Sequence, residues 1–205
     1  MPKRVDHEER RTEIAEALVR VAGRRGLHAV GMRDVAAEAG VSLRLVQYYF
    51  ETKEKLLLHG LQQLAAGFGE RVAARVRAVG DDPGPRAKIE AILMTALPTD
   101  EESRTFHLVY TAYAVLSVTD ETLAAQPFVK DPDAAEEAVT GLLRQARDMR
   151  LTQPDLDPRL EAISLLALSA GLGTSVLVGQ RSTESAAAVL EHQLDRIFQG
   201  GGRND

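Results

Sequence analysis

Helical periodicity with no strand pattern to rival it is what most constrains this chain. No block shows a sustained period-two alternation rich in β-branched residues. Proline and glycine instead cut the sequence into blocks whose apolar residues recur three and four apart. The spacing predicts helices over 8–25, 32–39, 43–50 and 53–79, then over 87–97, 102–117, 132–149, 157–179 and 183–199. Ile14, Leu18, Val21 and Ala22 form the first apolar stripe, and Gly26 ends it. GDDPGPR, residues 80–86, is the clearest linker, and the GGRND tail is expected to fray. The fold class is therefore all-α. A soft domain boundary falls near residue 55, inside the long fourth helix, because a long helix often belongs to both parts. That gives a head over 1–55 and a helical body over 56–205.

Composition excludes several classes of chemistry. There is no cysteine, which removes disulfides, thiolate metal sites and cysteine nucleophiles. The five histidines (7, 28, 59, 107, 192) are scattered, and no HExxH, G-x-S-x-G or phosphate-cradling glycine loop occurs. Acidic pairs such as Glu8-Glu9 and Glu136-Glu137 read as solvated helix faces. No catalytic residue, metal site or cofactor is expected. The charged N-terminus lacks the apolar stretch of a signal peptide, so a cytoplasmic location is expected. Nineteen residues between Glu161 and Arg181 carry no charge. They include three serines, a threonine, three glycines and a glutamine, with no aromatic belt. That composition fits a helix buried in the protein or in a subunit interface better than a membrane span.

The net charge of −5 hides a split. Residues 1–60 hold 11 Lys/Arg against 9 Asp/Glu, whereas 61–205 hold 14 against 21. A mildly basic head on an acidic body is compatible with nucleic acid touching the head alone. Random variation in surface charge explains the split equally well.

Residues 32–50, MRDVAAEAGVSLRLVQYYF, carry the chemistry. Two short helices meet at Ala39-Gly40-Val41, where glycine can take the positive φ that stops the first. Val35, Ala36, Val41, Leu45 and Val46 can share a core with Ile14 and Leu18. This is the spacing of a helix-turn-helix, whose second helix enters the DNA major groove. Ser42 caps that helix and offers a hydroxyl to a phosphate. Arg44, Gln47 and Tyr48 lie away from the core; arginine can read guanine and glutamine adenine. Tyr49 and Lys53 stand where they can hold phosphates. Two short helices around a glycine also occur as plain packing, and one of Tyr48 and Tyr49 must turn inward.

The longer string from residue 10 to about 58 resembles the DNA-binding domain of the TetR family of bacterial transcriptional regulators. The resemblance rests on the first helix ending in Arg25-Gly26, then Met32-Arg33-Asp34-Val35-Ala36 and Ala39-Gly40-Val41-Ser42. Tyr48-Tyr49-Phe50, Lys53-Glu54 and Leu56 complete it. It implies base contacts by Arg44, Gln47 and Tyr48, and phosphate contacts by Gly31, Ser42, Tyr49 and Lys53. Leu43 and Arg44 depart from the small residues common in the family, so an unusual operator is expected. Gly31 replaces the family's usual Ser or Thr cap.

The resemblance further implies a homodimer on a palindromic operator in double-stranded DNA, and a repressor released by a small-molecule effector. The expected dimer interface uses Ile163, Leu166, Ala170 and Thr174 of one helix with Val189, Leu190, Leu194 and Ile197 of the next. The candidate effector lining is His59, Leu93, Met94, Leu97 and Phe106, with Tyr110, Tyr113, Leu116 and Phe128; core packing is the competing reading for each. Activation, effector-independent DNA binding, or a helical protein-interaction module remain the alternative functions.

Overall fold

The computed structural model describes residues 7–124 and 133–198, and among these every regular element is helical. In chain order they are α1 (His7–Arg25), a short 3-10 turn (Leu27–Ala29), α2 (Met32–Glu38), α3 (Leu43–Phe50) and α4 (Lys53–Val79). α5 (Pro85–Ala96), α6 (Glu101–Ser117), α7 (Glu121–Ala124), α8 (Asp133–Asp148), α9 (Pro158–Leu177) and α10 (Thr183–Phe198) follow. The 3-10 turn and α7 are additions to the sequence expectation; both are too short to show a period. Phe128 and the GGRND tail lie outside the described residues.

The chain divides into two compact units. The first joins everything up to Gly67 with the stretch beginning at Leu108, and the second takes Phe68–His107 with the chain from Asp131 on. The division therefore falls inside α4 and α6, and the first unit borrows the later part of α6.

In the first unit, Ile14, Leu18, Val35, Ala36, Val46 and Phe50 pack into one core with Leu56, Leu57, Leu61, Val109 and Tyr113. Gly40 sits at φ 66 between α2 and α3, which an L side chain adopts only at a cost. Ser42 then caps α3 by accepting the Leu45 amide at 3.2 Å. Of the expected core residues, Leu45 and Val41 are only half-buried; Val46 and Phe50 supply the inner face of α3. Burying two such side chains contributes about 1.5–3 kcal/mol each. α4 lies close on α1 because residue 60 is glycine: a Cβ there would come within 2.9 Å of Leu18 Cδ2.

In the second unit, α5, α8, α9 and α10 pack around Ile89, Leu93, Leu97, Leu143, Leu165, Leu190 and Leu194. Asp157 caps α9 by accepting the amides of Arg159 and Leu160, with Pro158 next in line. His107 of α6 is buried against α9, its Nε2 3.3 Å from Thr174 Oγ1. The ring occupies the space a side chain at residue 173 would need: a Cβ on Gly173 would lie 2.3 Å from His107 Cε1. That burial pushes the imidazole pKa below its ordinary value.

Candidate nucleic-acid interface

The inward face of α3 is closed and its outward face is open. Val46 and Phe50 are buried, whereas Arg44, Gln47 and Tyr48 are exposed, Tyr48 to 68%. Tyr49 turns partly inward, as one of the two tyrosines must. Its ring stands edge-on to Tyr48 at 5.3 Å and 5.5 Å from the ring of His7. His7 at the start of α1 thus joins the aromatic edge of α3. Sequence reasoning left it as part of an exposed, charged start, because no local pattern links residue 7 to residue 49.

Salt links join α2 to α1 at the surface of the common core. Glu38 accepts from Arg20 Nε at 3.0 Å and also from Arg24, both on α1. Those hydrogen bonds, Arg24 first, hold its carboxyl below the usual carboxylate range. Arg25 pairs with Asp34 at 3.0 Å, and Lys55 with Glu51 at 2.6 Å. Glu51 itself ends α3 with φ 56, and its amide donates to Gln47 O at 2.8 Å.

Gly31 departs from expectation. Its amide N–H, expected at a phosphate, donates to Asp34 Oδ2 at 3.1 Å. The acid three residues on fills the orphan donor that begins a helix. Ser42 Oγ accepts the Leu45 amide, which leaves its hydroxyl hydrogen for an acceptor outside the chain. Lys53 is half-buried at the start of α4. Among the described residues, Arg33, Arg44 and Lys53 are cations of this head without an ion pair.

The expected effector-lining residues separate. In the first unit, Tyr113 is a core residue whose hydroxyl donates to Leu123 O at 3.1 Å, so it is not free for a ligand. Tyr110 is exposed and Leu116 half-buried. His59 lies 5.5 Å from the Phe50 ring, and its Nε2 is buried without a hydrogen-bond partner, as is Gln63 Oε1 one turn on. Burial, then the Arg11 cation, lowers the His59 pKa against the opposing pull of Glu8. In the second unit, Leu93, Met94 and Leu97 belong to the core, and Phe106 stacks on Phe68 at 5.0 Å.

The expected dimer residues separate likewise. Leu190, Leu194 and Ile197 are buried in their own unit's core rather than presented outward, and Val189 packs beside them. One stripe at three-to-four spacing serves equally for a protomer core or a partner, and here α5 and α9 claim it. Leu166 is half-buried. Ile163, Ala170 and Thr174 do lie on an exposed face of α9, which Leu160, Ala167 and Val178 extend. α9 is long and apolar enough to cross a membrane by length and composition, yet only 28% of that stretch is buried.

Comparison with known proteins agrees with this geometry. Residues 14–59 match the family profile of bacterial regulatory proteins, tetR family, and residues 85–199 match that of the BetI-type transcriptional repressor C-terminal region. The transcriptional regulator PksA of Bacillus subtilis is 30% identical over 179 residues, covering 87% of this chain and 83% of that protein. BetI of Agrobacterium fabrum is 37% identical over 102 residues, 49% of this chain and 48% of that one. A solved TetR-family regulator from Rhodococcus sp. superposes with TM-score 0.80 at 26% identity, covering 93% of this chain and 99% of that one. A regulator from Saccharomonospora viridis, solved with choline, does so with TM-score 0.82 at 25% identity, covering 92% and 96%. The open face of α3, the locked α1–α2 frame beneath it and these matches over both parts of the chain lead to one conclusion: this chain belongs to the TetR family of helix-turn-helix transcriptional regulators.

Proposed function

We propose that the chain acts in the cytoplasm as a homodimeric repressor that holds a palindromic operator and releases it when a small molecule binds. The observation that carries this is α3: an inner face closed on the core and an outer face offering Arg44, Gln47 and Tyr48. Arg44 and Gln47 would read base edges, with Tyr48 beside them. The Ser42 hydroxyl, Tyr49 and Lys53 would hold phosphates, and the first-turn amides of α2 beyond Gly31 would add to them. One head of this size buries little DNA surface, so specific affinity requires two heads on two half-sites. The uncovered α9 face supports the pairing: Ile163, Ala167, Ala170 and Thr174 form an apolar, mostly small surface on which a second copy of α9 can lie. The DNA head spans 1–55 in this reading and the body the remainder.

The unpartnered His59 Nε2 and Gln63 Oε1 on α4 support effector control, because buried polar atoms lacking protein partners suit a polar ligand. The Saccharomonospora regulator binds choline. Its fold likeness supports a small-molecule effector here, with the chemistry set by this chain's own residues. α4 runs without a break from Lys53 to Val79, so a ligand that displaces it moves Lys53. Effector and operator then weaken each other by the same factor. The test is selection from random duplex DNA by the purified chain at physiological salt. An enriched palindrome is expected; enrichment of a single unpaired half-site, or none from folded protein, refutes the dimeric reading.

A further inference from the structure

In the second unit, a cleft of about 190 Å³ opens between the later part of α4 and the turn joining α5 to α6. Arg71, Arg75, Thr95, Thr99, Asp100 and Ser103 line it, with Ala74. Arg71 is the unusual member. Its side chain is only 22% exposed, and its Nε and Nη1 are buried without any hydrogen-bond partner. Asp100 and Glu102 each stay 3.8 Å from Nη1, beyond hydrogen-bond length. By contrast Arg86, in the same unit, bonds Glu90 at 2.9 Å and Asp195 at 2.7 Å.

Asp100 does not close the gap because it is committed elsewhere. Its Oδ1 accepts the Ser103 amide at 2.7 Å and the Ser103 hydroxyl at 2.8 Å, starting α6. A guanidinium cannot shed its charge, so buried N–H groups of this kind call for an acceptor. The lining holds the guanidiniums of Arg71 and Arg75 and the carboxylate of Asp100, and Glu102 stands 3.8 Å from Arg71 Nη1, so these charges sum to zero. Such a site accommodates one added negative charge and disfavours two. The volume sits below that of pockets for drug-sized ligands, enough for a carboxylate on a short carbon chain.

We propose that this cleft binds the carboxylate of a small monocarboxylic acid, with Arg71 as the principal donor and Arg75 as the second cation. The ligand's carboxylate accepts from a donor that Arg71 leaves open, and its short chain runs along Ala74 and Thr95. Binding here is a property of the free protein and is measured without DNA, so it stands or falls separately from the repressor reading.

The experiment follows the arginine Nε–H resonances of the full ¹⁵N-labelled chain while sodium propionate is added at constant ionic strength. Inorganic phosphate at a pH where it is a dianion is the comparison. The Arg71 signal, identified by its loss in Arg71→Lys, is expected to shift saturably with propionate. Phosphate is expected to bind more weakly. Arg71→Met is expected to lose affinity by on the order of tenfold, as for a lost charge-assisted bond. Should Arg71→Met fail to fold, Arg75→Gln on the exposed wall serves instead, with an expected loss of about threefold. A propionate shift that does not saturate, tighter binding of phosphate, or a folded variant of either arginine that keeps the parent affinity would overturn the proposal.

Discussion

Substituting Gly173 by alanine tests whether the seat of His107 is as tight as the geometry requires. The change has two opposed effects. In a helix interior, alanine is favoured over glycine by about 0.8–1 kcal/mol. Against that, the new Cβ would sit 2.3 Å from His107 Cε1 and 2.7 Å from Nδ1, where carbon contacts settle near 3.5–4 Å. The buried ring must therefore move by an ångström or more. Overpacking of that kind costs about 1–3 kcal/mol. The net is a loss of about 0–2 kcal/mol, or a fall in Tm of up to roughly 8 °C for a chain of this length. With His107→Ala already in place the clash is gone, and the same Gly173→Ala should stabilise by about 1 kcal/mol. Gly141 of α8, where an added Cβ meets nothing within 4 Å, provides a control that should also gain. The assay is thermal unfolding of the parent, both single variants and the double variant at one protein concentration. Reversal of sign between backgrounds is the expected result. An equal gain from Gly173→Ala with and without His107 would refute the packing argument.

Other expectations follow from the interface and the buried histidines. Arg44→Ala should relax sequence preference while sparing nonspecific binding, whereas Lys53→Ala should weaken binding to all duplexes and, with one Lys53 in each of two heads, reduce the salt slope by about 2; competition binding at several salt concentrations separates the two. Ala170→Glu, on the open face of α9, should give a folded monomer in analytical ultracentrifugation, whereas Leu194→Glu, in the core, should unfold the protomer. Burial lowers the pKa of both His59 and His107 below 6.5, so the unfolded chain binds the more protons as pH falls through that value. Their contribution to stability is present above pH 6.5 and is lost as pH falls through their folded pKa values. Urea midpoints at about pH 7.5 and about pH 5.5 should show the loss, and His59→Gln with His107→Gln should flatten it. Glu38 and Asp100, held below 4.5 and 3.8, lose their stabilising effect only at still lower pH.

The helical plan was legible in the sequence because capping and stopping residues act locally. Gly26, Gly40, Ser42 and the stretch after Val79 mark boundaries that the structure reproduces within a residue or two. The outward face of α3 was legible as well: the spacing turned Leu45 and Val46 inward, of which Val46 is buried and Leu45 half-buried, and Arg44, Gln47 and Tyr48 are exposed. Long-range pairings were not. The Gly31 amide is a local case: an acid three residues on is a usable signal that Asp34 takes it, and it was not read. The stripe on α10 cannot announce whether a core or a partner will cover it, and Leu190 and Leu194 went to the core. Tyr113 reads as a ligand-stacking ring until its hydroxyl is seen on Leu123 O. His107 and Gly173 lie far apart in the chain and show no pattern until they meet.

The ion pairs that brace the head also decide how it travels on DNA. Arg20 and Arg24 are spent on Glu38, Arg25 on Asp34 and Lys55 on Glu51, and half-buried Arg11 lies over the Phe50 ring, so among the described residues of the head Arg33, Arg44 and Lys53 are the cations left open to a phosphate. In the proposed dimer, these three described cations in each of two heads would give a log–log salt slope of roughly −5 by counterion release, about half that of a heavily cationic repressor. Such a protein gains little from arbitrary phosphate backbone. It leaves random sequence quickly, spends less of its population on the genome's vast excess of wrong sites, and leans on base contacts to stay where it belongs. Bracing the scaffold with acid–base pairs thus shortens dwell time everywhere except at the matching sequence.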